Sequence, residues 1–329
     1  MSTRTILLNR GDIAALMSPA DYLTAVENAF RASGQGNTSS PSPMHIPTNG
    51  GGFHAKGAAL KCDGHSYVAL KLNGNFPGNP DRGLPTIQGA ILLCDADNGR
   101  VLAILDSIEI TLRRTAAASA LAARHLARSD AKTLAIFGCG AQARAQAEAL
   151  AEITPFERAL VWDLDATKAK QFAHDMGDAL GFAFEVAPNA RSAARAADVI
   201  VTCTTARTPF LAEADVPPGA FIAAVGADHP QKSEIAPALM AKAVVVVDNL
   251  DQCLHMGDLH HAVEAGAMRP GDVHAALADI VTGARPGRSR RDAITIFDST
   301  GTAIQDVASA ALVYERAQER GAGLPFTLA

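Results

Sequence analysis

The sequence predicts an α/β protein in two parts: a β-rich domain with a leading helix, then a doubly wound domain whose parallel sheet is covered on both faces. Three observations predict it. The first hundred residues are dominated by strand and turn signals. From Ile108 the pattern changes to a helix rich in small residues, IEITLRRTAAASALAARHLAR, whose alanines let neighbouring backbones approach closely. Beyond it, near-continuous apolar runs alternate with helical stretches, as strands buried on both faces require.

The leading helix is SPADYLTAVENAFRASGQ, started by Ser18 with Pro19 at its first position, where a missing N–H costs nothing. The stretch 66–73, SYVALKLN, alternates: Tyr67, Ala69, Lys71 and Asn73 share one face and Val68, Leu70 and Leu72 the other. TIQGAILLCDADNGRVLAILDS reads as two strands joined at Asn98-Gly99, a strong hairpin signal. Later strands are predicted at 133–137, 159–162, 199–203, 221–225, 244–247 and 294–297, which gives a doubly wound domain over about 115–305. The tail TAIQDVASAALVYERAQERG reads as one more helix.

At 329 residues the chain has room for two domains of ordinary size. With 48% hydrophobic and 19% charged residues it is globular, and no apolar run approaches the length of about 18 to 20 residues that spans a bilayer. Asn9, Arg10, Gly11 and Asp12 interrupt the N-terminal apolar stretch that a signal peptide would continue, so a cytoplasmic chain is expected. A net charge of −5 with scattered cations argues against nucleic acid as partner, and the short run GRSRRD at 287–292 reads as a solvated loop. The five cysteines, Cys62, Cys94, Cys139, Cys203 and Cys253, are odd in number and form no C-x-x-C pair, so they read as reduced thiols.

The stretch LAIFGCGAQARAQAEAL, 134–150, places a glycine loop after a predicted strand and before a predicted helix. That is the context of the dinucleotide fingerprint. Gly138 allows the tight turn and Gly140 the close approach of a pyrophosphate, Ala143 fills the third position, and Ala141 and Gln142 open the helix whose N-terminus would receive the phosphates. At the end of the next strand, Asp163 lies at the distance expected of a ribose ligand. A carboxylate there accepts from both ribose hydroxyls and repels a 2′-phosphate, which favours NAD(H) over NADP(H). Asp165 competes for the role, and either aspartate would also serve as a helix cap.

Three further positions fit poorly as simple structure. Lys71 lies within an apolar strand, where an ammonium needs an anion to offset desolvation unless its face is solvated. Arg113 and Arg114 come early in a helix, where the macrodipole disfavours cations, and a bound anion would explain one of them. Asp228, in FIAAVGADHPQKSE, follows the end of a sheet strand, where open α/β sheets bind ligands, although a turn role is the plainer reading.

The stretches ALKLNGNFPGN, LPTIQGAILLCDADNGRVLAILDS, ITLRRTAAASALAARHLA, GCGAQARAQ, VGADHPQKSEI and TIFDSTGTAIQD, in this order from roughly 65 to 315, together resemble the ornithine cyclodeaminase and μ-crystallin family. The resemblance implies a homodimer. Each chain would have a discontinuous α+β substrate-binding and dimerisation domain, 1–114 and 306–329, a Rossmann-type NAD-binding domain, 115–305, and an active site between them. It further implies that Lys71 and Arg114 bind the substrate α-carboxylate with Thr86 nearby, and that Asp228 faces the amine or imine nitrogen. Cys203, Thr204, Val225, Gly226, Asp298 and Ser299 would then lie near the nicotinamide.

Cyclodeaminases, as the resemblance has it, use a further arginine and a glutamate in the segment corresponding to about 42–58. Here that segment reads SPMHIPTNGGGFHAKGA, with neither. His45, His54 or Lys56 is left to supply positive charge. Loss of the acid weakens the case for ornithine, whose distal ammonium would want one. The expected activity is NAD(H)-dependent reduction of an imino acid to an L-amino acid, or its reverse. Ornithine cyclodeamination is the alternative, and a cofactor-bound ligand-binding protein is an alternative of another class. His255, Asp258 and His261 share one helical face, read as a polar helix surface, and no metal is expected.

Overall fold

In a computed structural model that describes residues 4–62 and 64–328, with the side chain of Cys62 outside the description, the chain forms two compact units. The first runs to Arg114 and resumes at Thr302; the second spans Thr115–Gly301. The boundary expected after residue 305 therefore lies inside a helix, and the return to the first unit begins at Thr302. No helix among the described residues is long and apolar enough to cross a membrane.

The first unit opens with β1 (Thr5–Leu8), α1 (Arg10–Leu16), α2 (Pro19–Gly34), β2 (Thr38–Ser39), β3 (Met44–Thr48), β4 (Gly51–Cys62), β5 (His65–Asn75), β6 (Ile87–Asp95) and β7 (Val101–Asp106). Ser18 caps α2 in a reciprocal capping box with Asp21, with Pro19 at the first position. The hairpin of β6 and β7 turns through Gly99 at φ +78, a conformation that favours glycine. Helix α3 (Ser107–Leu126) carries the chain out of this unit.

The second unit contains β8 (Thr133–Phe137), α4 (Ala141–Ala151), β9 (Arg158–Trp162), α5 (Ala166–Leu180), β10 (Ala183–Val186), α6 (Ala190–Arg195), β11 (Val199–Thr202), β12 (Phe221–Ala224), α7 (Pro237–Lys242), β13 (Val244–Val247), α8 (Leu250–Cys253), α9 (Asp258–Glu264), β14 (Ala275–Ala276), α10 (Leu277–Val281) and β15 (Thr295–Asp298). Helix α11 (Ala303–Arg320) and β16 (Leu324–Phe326) complete the first unit. The sheet of the second unit is parallel, in the order β10-β9-β8-β11-β12-β15-β13-β14. The order reverses between β8 and β11, so the switch point lies at their carboxyl ends. β8, β11, β12 and β15 are buried along their whole length, in keeping with their predominantly apolar sequences. The 287–292 run is a mostly exposed loop, as expected, with Arg288 as the exception among its charged residues. Arg288 is half-buried and donates to the carbonyls of Leu126 (2.6 Å) and Ala293 (2.6 Å) and to Thr295 Oγ1 (2.8 Å), stitching a loop to the sheet.

In the sheet of the first unit, ordered β16-β1-β7-β6-β5-β4-β2 with β3 on β4, the strand β5 is turned opposite to its hydrophobicity. α11 packs across β4, β5 and β6. The side it covers carries Tyr67, Ala69 and Lys71, all buried. The other side carries Val68, Leu70 and Leu72, exposed by 38, 49 and 43% in the single chain. Tyr67 belongs to the covered side because its hydroxyl reaches Glu315 of α11 (2.8 Å), and Lys71 because it meets an acid on the same helix. A strand can bury its polar face only when every polar group there is partnered.

Candidate active site

The first unit gathers Lys71, Arg114 and an acid the sequence did not single out. Lys71 lies mid-strand in β5, and its Nζ is 2.7 Å from Asp306 Oδ2 and 3.3 Å from Thr111 Oγ1. Arg114, two turns into α3, donates from Nε to Asp306 Oδ1 (3.0 Å) and from Nη1 to Gln305 Oε1 (3.0 Å). Lys71, Arg114, Gln305 and Asp306 are each at most 5% exposed. Asp306 and Gln305 belong to the first turn of α11, where the helix macrodipole favours the carboxylate.

Burial pushes the Lys71 ammonium down to about 7; Asp306 pulls it back up, while Arg114 and Lys56 push it down further. Burial also pushes Asp306 upward, but Arg114 and Lys71 outweigh it and hold the carboxyl below its ordinary value. Two buried cations thus share one anion, so the cluster is one negative charge short while both are protonated. Arg113, by contrast, pairs along its own helix with Glu109 (2.9 Å).

The strand register settles where the histidines and Lys56 lie. Lys56 of β4 is directly opposite Lys71, His54 is opposite Asn73, and His45 of β3 is opposite His54. Residues opposite one another in an antiparallel pair project to the same side, so His45, His54 and Lys56 share the face that carries Lys71. The two imidazoles stack, centroids 4.5 Å apart. Thr86 lies where the β5–β6 connection enters β6; it is half-buried, and its carbonyl accepts from Phe76 N (2.8 Å).

In the second unit, the glycine loop closes β8 at the switch point. Gly138 has φ +88, and a Cβ there would stand 2.9 Å from the carbonyl oxygen of Cys203, the residue that follows β11. Gly140 is the N-cap of α4 with no side chain capping it, and a Cβ on it would meet nothing. Open space above an uncapped helix N-terminus, with Ala141 and Gln142 in its first turn, fits a pyrophosphate. Ala143 is fully buried against the sheet side, consistent with helix packing. Asp163, just past β9, accepts from Cys139 N (2.7 Å) and Asp165 N (3.0 Å), with Lys168 at 3.5 Å. Burial raises its pKa, but these partners outweigh burial and keep the carboxyl below its ordinary value. Asp165, the competing candidate, caps α5 through Thr167 N and Lys168 N.

The ends of the next strands are tied together by buried acids. Glu234 accepts from Thr204 N (2.7 Å) and Gly226 N (2.9 Å), bridging the loops after β11 and β12. Burial and the charge of Asp258 raise it to about 7. A Cβ on Gly226 would collide with this carboxylate. Val225 is buried, its N–H on Thr202 O (2.9 Å). Asp298 does not present its carboxylate outward: it accepts from Asp258 N (3.3 Å) and Leu259 N (2.8 Å), and burial with the Asp258 charge pushes it well up. Ser299 is also buried, and its Oγ has no partner among the described residues.

Asp228 follows β12 on a loop, is 58% exposed, and pairs with Lys232 (2.6 Å). The expectation of a polar helix surface for His255, Asp258 and His261 is corrected here. Asp258 is fully buried and accepts from Glu234 N (2.8 Å) and Ile235 N (3.0 Å), while His261 Nε2 meets Lys232 O (2.8 Å). α9 therefore anchors the segment that carries Asp228. Cys94, Cys139, Cys203 and Cys253 are free thiols; burial, with the charge of Asp163, pushes Cys139 up to about 12.

A parallel sheet with a glycine turn at its switch point and an acid at the neighbouring strand end, in a chain that also buries a pair of cations on one acid, is the architecture of a nicotinamide-dinucleotide-dependent enzyme. Comparison with known proteins places it further. The model of the ornithine cyclodeaminase/mu-crystallin family matches residues 3–321, and the chain belongs to that family. An archaeal alanine dehydrogenase, described as a dimer with bound NAD, is 36% identical and superposes with a TM-score of 0.95 over 99% of this chain and 100% of its own. The Δ1-pyrroline-2-carboxylate reductase of Thermococcus litoralis, in complex with NADH and L-proline, is 34% identical with a TM-score of 0.93 over 97% and 99%. The iminosuccinate reductase of Paracoccus denitrificans, in complex with NAD+, is 31% identical with a TM-score of 0.90 over 98% and 99%.

Proposed function

We propose that this chain is an NAD(H)-dependent oxidoreductase that interconverts an imino acid and an L-amino acid. The observation that carries the reading is the buried trio in which Lys71 and Arg114 share the single carboxylate of Asp306. Lys71 and Arg114 take the substrate α-carboxylate and so fix Cα in one orientation, the kind of positioning worth several powers of ten in rate. Asp228 exchanges a proton with the substrate nitrogen. When bound, NAD(H) gives hydride to Cα or takes it. The uncapped turn after Gly140 holds its pyrophosphate, and Asp163 at the β9 end favours NAD(H) over NADP(H). Relatives of the same architecture carry NAD or NADH and are named for alanine, pyrroline-carboxylate and iminosuccinate chemistry.

The face beside the clamp bears Lys56, His54 and His45, which suits a substrate without a distal ammonium and disfavours ornithine. The uncovered face of Val68, Leu70 and Leu72 is the surface we assign to a homodimer, in keeping with the dimer described for the archaeal relative. The test is a substrate panel of cyclic imino acids, iminosuccinate, and pyruvate with ammonia, run with NADH and NADPH. NADH consumption supports the reading. Ammonia release from ornithine without net change in NADH would replace it with cyclodeamination, and tight ligand binding without turnover on any imine would replace it with a binding role.

A further inference from the structure

We propose that Gln305 and Asp306 are the positioning residues of the carboxylate clamp: Asp306 is the fixed counter-ion that aims Lys71 and Arg114, and Gln305 holds the outer edge of Arg114 and offers its amide to the same carboxylate. The proposal rests on the function proposed above.

The geometry leaves little freedom. Asp306 uses one oxygen for Lys71 (2.7 Å) and the other for Arg114 Nε (3.0 Å), so the ammonium and the guanidinium are held by one rigid acid. Gln305 Oε1 takes Arg114 Nη1 (3.0 Å). Guanidinium has only donors, so the amide oxygen must face Arg114 and the NH2 must point away. That Nε2 has no partner among the described residues, although Gln305 is 0% exposed. An unpaired buried donor beside two cations has one natural complement, a carboxylate oxygen.

Charge gives Asp306 its second role. Without it the clamp would hold two unscreened cations, and Lys71, already pushed down by burial, would surrender its proton. A second acid in the cluster would cancel the remaining positive charge. One acid and one neutral amide leave room for a single carboxylate. The charged groups that act on Lys71 are Asp306 of α11, Arg114 of α3 and Lys56 of β4.

Two isosteric substitutions separate these roles. Asp306→Asn removes the counter-ion; Gln305→Glu keeps an oxygen on Arg114 but adds a charge. With the imino acid that the wild-type chain reduces, Asp306→Asn is expected to lower kcat/KM roughly 100-fold and to move its alkaline fall to lower pH by about a unit or more. Gln305→Glu is expected to raise KM roughly 10-fold or more while NADH binding stays unchanged. An unshifted pH profile in Asp306→Asn, or an unchanged KM in Gln305→Glu, overturns the proposal. So does loss of NADH binding and thermal stability in both variants, which would make the pair props of the fold. A wild-type chain that turns over no imine overturns the proposed function itself, a result distinct from any of these.

Discussion

Lys71→Met isolates the contribution of one buried ammonium, and its effect should depend on pH in a defined way. In the free protein Lys71 titrates near 7 because burial outweighs the attraction of Asp306. A charge-assisted hydrogen bond to a carboxylate contributes about 1.5–3 kcal/mol, so removing it should cost about 10–100-fold in kcat/KM while the ammonium is intact. At about pH 6 most wild-type molecules carry that charge; at about pH 9, two units above the value near 7, only about one in a hundred does. The ratio of wild-type to Lys71→Met kcat/KM should therefore shrink from about 10–100 in acid toward unity in alkali. Initial rates of NADH oxidation over this range measure it, and taking the ratio removes the pH dependence of the imine. A ratio equal at both ends would show that Lys71 keeps its proton throughout, and the account in which burial outweighs the attraction of Asp306 would fail.

Three other outcomes follow from the geometry. Asp228→Asn should lower turnover by about 100-fold or more with NADH affinity unchanged, read by rates and by NADH fluorescence titration; equal turnover would make the residue structural. Replacing Asp163 with Ala should weaken NADH and narrow its advantage over NADPH, and should also loosen the loop, since its oxygens accept from Cys139 N and Asp165 N. A KM comparison with thermal melts separates the two effects. Leu70→Glu places a charge on the uncovered face of β5 and should yield monomers in light scattering; an intact dimer would move the interface elsewhere.

Much of this was legible in the sequence because it is local. The unbroken apolar runs located β8, β11, β12 and β13, the turn at Asn98-Gly99 located a hairpin, and the glycine loop marked the switch point. Lys71 stood out as a cation in an apolar strand, and Arg113 and Arg114 as cations early in a helix, of which only Arg114 joins the buried cluster. Their partner could not be seen: Asp306 lies 192 residues from Arg114, in a tail that reads as an ordinary amphipathic helix. Glu234, and the buried role of Asp258, were hidden for the same reason, since their work is to accept backbone N–H groups brought close only by the fold. The alternation of β5 was correct, but its outward and inward faces were not assigned by it. Hydropathy alone would bury Val68, Leu70 and Leu72, whereas the covered side is the one whose polar groups find partners.

The acids at the strand ends carry a consequence for how the chain melts. Glu234, Asp258 and Asp298 are raised by burial, so folding of the second unit takes up protons. Their contribution is fully present in acid, below the ordinary carboxylate range, and is lost as pH rises through the folded values, about 7 for Glu234. The first unit leans the other way. Asp306 is held low, so its contribution disappears as pH falls through its folded value, and Lys71, shifted from 10.5 to about 7, adds stability as pH rises between those two values. Calorimetry at mildly acidic and mildly alkaline pH should see the melting of the two units separate in opposite senses, the first unit yielding earlier in acid and the second earlier in alkali. Proton traffic at these buried groups is thus divided by unit: the acids behind the dinucleotide-type sheet are most secure in acid, and the carboxylate clamp is most secure in alkali.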